Sequence, residues 1–163
     1  MSIDKLRMLS LNPHFLGKLI QNFVQGYGKP ADLKLIFYVL PIVLYKDSRG
    51  KLSSANSRSS IESLFQSKTS FEGNEKVKLS GKVSLAGFVE RFEVLKNNTK
   101  QALIILSNEG KIGLGTHVSL LVEEKYDNYT GNVKNSLKAA YYLGIVFSKT
   151  TSEYLNSFLG VDI

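Results

Sequence analysis

The segment Leu33–Tyr45, LKLIFYVLPIVLY, constrains this chain more than any other. It is apolar nearly all round, yet it carries Lys34 and Pro41 and is only 13 residues long. A membrane-crossing helix needs about 20 apolar residues. The segment therefore reads as a central buried helix, opened by Asp32 and bent by Pro41, whose ring removes a backbone hydrogen bond and crowds the preceding turn. The other elements must be built to cover it.

Covering segments are easy to find. Asn12-Pro13 is a helix start, with Asn as cap and Pro at the first helical position. Phe15, Leu16, Leu19, Ile20, Phe23 and Val24 then follow at helical spacing, and Gly26 to Pro30 ends the run. Residues 47–60 read as a polar, Ser-rich connector. Ser57 or Ser59 is the expected cap for a short helix through Ile61, Leu64 and Phe65, and residues 67–80 are polar and turn-rich.

The second half reads as helix, turn, helix, hairpin. Lys82–Lys96 is helical, Asn97-Asn98-Thr99 makes a break, and Lys100–Ser107 is a second helix. A turn at Asn108–Lys111 leads into two strands, about Lys111–Leu114 and Val118–Glu123. Helices over Val133–Phe147 and Glu153–Leu159 follow, the last capped by Thr151 or Ser152 and closed by Gly160. The expected fold is mainly α with a small β-hairpin: a winged helix–turn–helix-like core, about residues 82–126, flanked by N- and C-terminal helices, the latter at about 130–160. All 163 residues are read as one domain, and the 43% apolar content suffices for its core.

Chemistry-bearing motifs are sparse. There are no cysteines, so thiol nucleophiles, disulfides and cysteine-held metals are excluded. Gly110 and Gly115 have the spacing of a phosphate loop, but Thr116-His117 replaces its Lys-Ser/Thr and a strand follows in place of a helix. His14 and His117 lack metal-ligand spacing. Glu123 and Glu124 point to opposite faces of a strand, whereas Glu90 and Glu93 share a helix face beside Arg91. No set assembles nucleophile, base and anion hole, so the expectation is a non-catalytic protein with no cofactor and no metal. The N-terminus lacks a secretory pattern, which leads to the expectation of a soluble, cytoplasmic chain with no membrane role.

Net charge is +7, and most of it lies early: residues 1–60 hold nine Lys/Arg against three acids. A basic half suggests an acidic partner. Lys34, Lys46, Arg49, Lys51 and Arg58 are the candidates for non-specific contact with nucleic-acid phosphates. Sequence-specific reading is disfavoured, because Lys100–Ser107 offers only Lys100, Gln101 and Ser107 as polar groups. Apolar termini are the other candidates: Leu9, Leu11, Asn12 and Pro13 at one end, Tyr154, Leu155, Phe158, Leu159 and Val161 at the other. Each end either completes the chain's own core or fills a partner's groove.

Three stretches resemble a known family: Asn12-Pro13 opening an apolar helix, Leu35–Lys46 (LIFYVLPIVLYK) before a Ser-rich loop, and Thr151–Val161 (TSEYLNSFLGV). With the unit around Thr99–Leu103, they are similar to the middle component of bacterial three-component ABC-ATPase systems, the group that includes Lamassu-type anti-phage defence. The polar insert Ser67–Ser80 departs from that pattern. The resemblance implies an adaptor between an SMC-like ABC ATPase and an effector, often a nuclease. The competing reading is a winged-helix DNA-binding regulator.

Overall fold

The computed structural model describes residues 12–65 and 85–161. Helix α1 (Pro13–Tyr27) begins as its sequence dictates: the Asn12 side chain accepts the His14 N–H at 3.0 Å, and Gly28 closes the helix at φ +79°. Its stripe of Leu16, Leu19, Ile20, Phe23 and Val24 is buried.

The apolar segment after it is buried as expected, but not as one bent helix. It forms α2 (Leu33–Ile36) and α3 (Val39–Val43), with a turn at Phe37–Tyr38. The break lies four residues before Pro41 because Pro41 has no N–H for the Phe37 carbonyl. Leu35, Ile36 and Tyr38 to Val43 are all buried, so the segment remains the centre of the core.

Two further expectations are corrected nearby. The polar stretch after Tyr45 is not all connector: Lys46–Leu52 is a helix, α4. It forms because Leu52 turns into the core and the buried Ser48 hydroxyl bonds to the Ile42 and Tyr45 carbonyls. The short α5 (Ile61–Phe65) is capped by Ser60, whose Oγ accepts the Ser63 N–H at 3.2 Å; Ser59 instead accepts the Asn56 N–H. The polar insert 67–80 lies outside the described residues.

The largest correction concerns residues 97–99. Helix α6 runs unbroken from Phe88 to Asn108. Asn97, Asn98 and Thr99 are weak helix formers, but packing overrides propensity. Phe88, Phe92, Thr99, Ala102, Leu103 and Leu106 form one buried stripe that passes straight through the expected break, with Thr99 fully buried in it. The described residues of 82–126 therefore hold one helix and a hairpin, and the turn between two helices is absent from them.

The hairpin forms close to where its pattern put it. Strands β2 (Ile112–Leu114) and β3 (His117–Leu120) pair antiparallel, with Ile112 opposite Leu120 and Leu114 opposite Val118. A third strand, β1 (Ala31–Asp32), pairs with the other edge of β3, giving the order β1-β3-β2. At two residues it is too short to leave a periodic signal. The fold is mainly helical with this small antiparallel sheet.

A 3₁₀ turn (Tyr126–Asn128) leads to α7 (Gly131–Phe147) and α8 (Ser152–Leu159). Thr151 caps α8 through the Tyr154 N–H, and Gly160 ends it at φ +72°. Helices α1 and α7 cross at very close range. A methyl on Gly26 would overlap the Tyr141 carbonyl oxygen and lie 2.8 Å from its carbon. Around this crossing the aromatic core closes: Phe23 meets Phe147 edge-on at 5.6 Å, and Tyr38 bridges Phe147 to Phe92.

Candidate interaction surface

The structure sorts the candidate residues at the two ends. Leu9 and Leu11 lie outside the described residues. Asn12 is exposed and spends its side chain on the α1 cap, and Pro13 is half-buried. Within α8 the faces divide. Leu155 (0% exposed) and Leu159 (7%) are inside the chain's own core. Tyr154 is exposed, and Phe158 and Val161 are half-buried; the Tyr154 and Phe158 rings stack at 6.0 Å. A hydrogen bond between Tyr154 and Glu62 raises the phenol pKa and lowers that of the carboxyl. Beside Phe158, a cavity of about 260 Å3 opens between α8 and the start of α6, with Leu85, Phe88 and Val89 on its far wall.

The basic candidates also separate. Lys34, Lys51 and Arg58 are exposed, and none of them lines the groove that takes in the other two. Lys46 and Arg49 line a groove of about 380 Å3 between α4 and α7. The opposite wall carries Asn135 and Lys138, and Ser53 stands at the end of α4; Leu52 and Ala139 border the groove but are buried in the core. Arg49 is held in place: its Nη1 donates to the Val43 carbonyl at 3.1 Å and the Leu44 carbonyl at 3.4 Å. Half-burial pulls its pKa below the usual guanidinium value, because desolvation disfavours the charge. Lys138 stands 5.9 Å over the Tyr142 ring.

Asn135 and Lys138 escaped the sequence reading. Their one signal is the helical pattern of Val133–Phe147 with polar residues on its outer face, and nothing local says that this face meets α4.

A second polar cluster is structural. Along α1, Gln21 Nε2 donates to the Val122 carbonyl at 2.7 Å, and Gln25 Oε1 accepts the Glu124 N–H at 2.8 Å. Lys18 donates to the Tyr129 hydroxyl at 2.6 Å, and that hydroxyl donates to Glu124. The Tyr129 hydrogen bond raises the Lys18 pKa. Together these bonds bind the segment after the hairpin to α1. Beyond it, burial first and then Tyr142 push the Tyr126 phenol up to about 12.

His14 and His117 are both exposed. Among the described residues no three His, Asp or Glu side chains gather closely enough to hold a metal ion, and no helix is long and apolar enough to cross a membrane.

The described residues thus define a mainly helical protein whose side-chain chemistry is concentrated in one cationic groove and one aromatic-edged helix end. A family model matches residues 1–163, and the chain belongs to that family: the ABC-three component (ABC-3C) system Middle Component 3. The description implies an ABC ATPase and a further component as partners. No curated protein and no solved structure matches the chain.

Proposed function

We propose that this chain is a non-catalytic accessory subunit that bridges an SMC-like ABC ATPase and a nuclease effector in a cytoplasmic anti-phage complex of the Lamassu type. The observation that carries the reading is the family match over the whole chain, which makes it the middle component of a three-component system. The sorting of α8 is compatible with bridging: Leu155 and Leu159 anchor the helix, and the exposed Tyr154 ring faces outward, where another protein can meet it. The regulator reading lost its main support when α6 proved continuous.

The test is co-expression of the tagged chain with its neighbouring genes, followed by affinity purification. The expected outcome is a stable complex holding a coiled-coil ATPase and an effector with DNA-cleaving activity. Recovery of the tagged chain alone, with an ATPase gene next door, counts against the proposal.

A further inference from the structure

The groove between α4 and α7 is built from one face of each helix. Lys46, Arg49, Gly50 and Ser53 recur at the spacing of a single face of α4, as do Asn135, Lys138 and Ala139 on α7. Leu52 and Ala139 border the groove from within the core, at 1% and 3% exposure, so its accessible chemistry is polar. Three cations share it, Lys46 and Arg49 from one wall and Lys138 from the other, with no carboxylate among the described lining residues. The ion pairs among the described residues, Lys96–Glu93, Lys111–Glu109 and Lys134–Asp127, involve none of the three.

Gly50 is a second, independent observation. Glycine weakens a helix interior. Gly26 and Gly144 have a packing reason for it, since a Cβ on either would strike the backbone of the opposite helix. Gly50 has no such reason: its φ is not positive, and a Cβ there would meet nothing within 4 Å. It lies on the face that holds Lys46, Arg49 and Ser53, so the side chain it lacks would stand in the groove. What the glycine preserves is open space among the cations.

An occupant suited to that space is compact, carries more than one negative charge and accepts hydrogen bonds from both walls at once. A carboxylate offers one charge and two oxygens in one plane. Inorganic phosphate or a phosphate monoester offers a tetrahedron of oxygens and close to two charges, and an arginine fork grips it as well. Arg49 is poised for this: its Nη1 is held by the Val43 and Leu44 carbonyls, so little side-chain freedom is lost on binding. Its half-buried charge is also costly to leave unanswered. A nucleic-acid backbone matches less well, because each diester carries a single charge and a duplex needs cations spread over many phosphates.

We propose that the α4–α7 groove is a binding site for a phosphate-class dianion, either inorganic phosphate or the phosphate of a small monoester. Lys46, Arg49 and Lys138 are its charge contacts, and Gly50 is the gap that admits it. The assignment does not depend on the accessory-subunit reading.

The experiment titrates the isotope-labelled full chain at pH 8 and low salt, where a phosphate monoester is dianionic, and follows amide chemical shifts. Inorganic phosphate and AMP are expected to shift α4 and the first turns of α7 saturably. Tighter binding of AMP identifies an ester as the ligand, and equal or weaker binding identifies the free ion. Cyclic AMP, a diester with one charge, and succinate, a dianion of planar carboxylates, should each bind about tenfold more weakly than phosphate, or worse. Lys138→Gln and Gly50→Leu should each weaken phosphate about tenfold or more, and Lys100→Gln on the exposed face of α6 should not. Because leucine is a strong helix former, Gly50→Leu should lose phosphate with stability in urea unchanged or raised, which a damaged fold would not show. The proposal is overturned by the absence of saturable shifts below about 10 mM phosphate, by succinate or cyclic AMP binding as tightly as phosphate, or by folded Lys138→Gln and Gly50→Leu variants that bind phosphate like the wild type.

Discussion

Gly144 of α7 and Phe23 of α1 meet backbone against backbone: a methyl group on Gly144 would overlap the Phe23 carbonyl oxygen and lie 2.7 Å from the Tyr27 nitrogen. With Gly26 opposite Tyr141, the crossing has a glycine on each side. Interiors this tight accommodate added atoms only by moving backbone.

Gly144→Ala and Gly26→Ala should therefore each destabilise the protein by at least the 1–3 kcal/mol or so typical of overpacking. Gly50→Ala in α4, where a methyl meets nothing within 4 Å, should be neutral or stabilising by up to about 1 kcal/mol. Urea denaturation of the three variants checks this; equal midpoints for Gly144→Ala and Gly50→Ala would refute the close crossing.

Proline distinguishes a continuous α6 from two helices joined at residues 97–99. Asn97→Pro falls inside the helix and should cost about 3 kcal/mol. Were there a turn at that point, the change would be tolerated. The thermal midpoint of the variant is the readout.

The two sides of α8 should respond differently to truncation. Leu155→Ala removes a fully buried side chain and should cost about 2–5 kcal/mol. Tyr154→Ala, at an exposed position, should cost far less and instead weaken recovery of partner proteins. Denaturation paired with co-purification separates the two roles. A Leu155→Ala variant as stable as wild type would mean that α8 does not anchor in this core.

Alkaline pH should loosen the region around Tyr126. Its phenol holds its proton up to about 12 in the folded protein, against 10.0 ordinarily, so the folded state favours the protonated form. The resulting stability is complete below the unfolded value and is lost as pH rises from 10 through about 12. Tyr126→Phe should flatten the fall in stability across that window, measured by denaturation at stepped pH with tyrosinate absorbance as a second probe.

How far the sequence carried depended on whether a feature is local. The Asn12 cap, the α1 stripe, the hairpin, the body of α7, and α8 with its ends were all legible, since each is written in caps, periodicity or glycine within a few residues. Residues 97–99 misled because Asn-Asn-Thr is a local breaking signal, while the force that holds the helix straight is the burial of Thr99 between Phe92 and Ala102 against distant elements. Helix α4 was hidden by its polar composition; only Leu52 and the inward Ser48 hydroxyl commit it to the core. The cationic groove was half legible. Lys46 and Arg49 stood out as charge, but Lys138 joins them only because α7 lies alongside α4, a pairing across most of the chain that no spacing rule encodes.

The bonds that tie Lys18, Gln21 and Gln25 to residues 122–129 make α1 a common shaft. The segment after the hairpin is fixed to one side of it, and α7 is meshed with another through the two glycines. At the crossing there is no room for a Cβ on either glycine, so α1 and α7 can part or slide there only by moving backbone. Loosening α1 would therefore release the segment after the hairpin and α7 together.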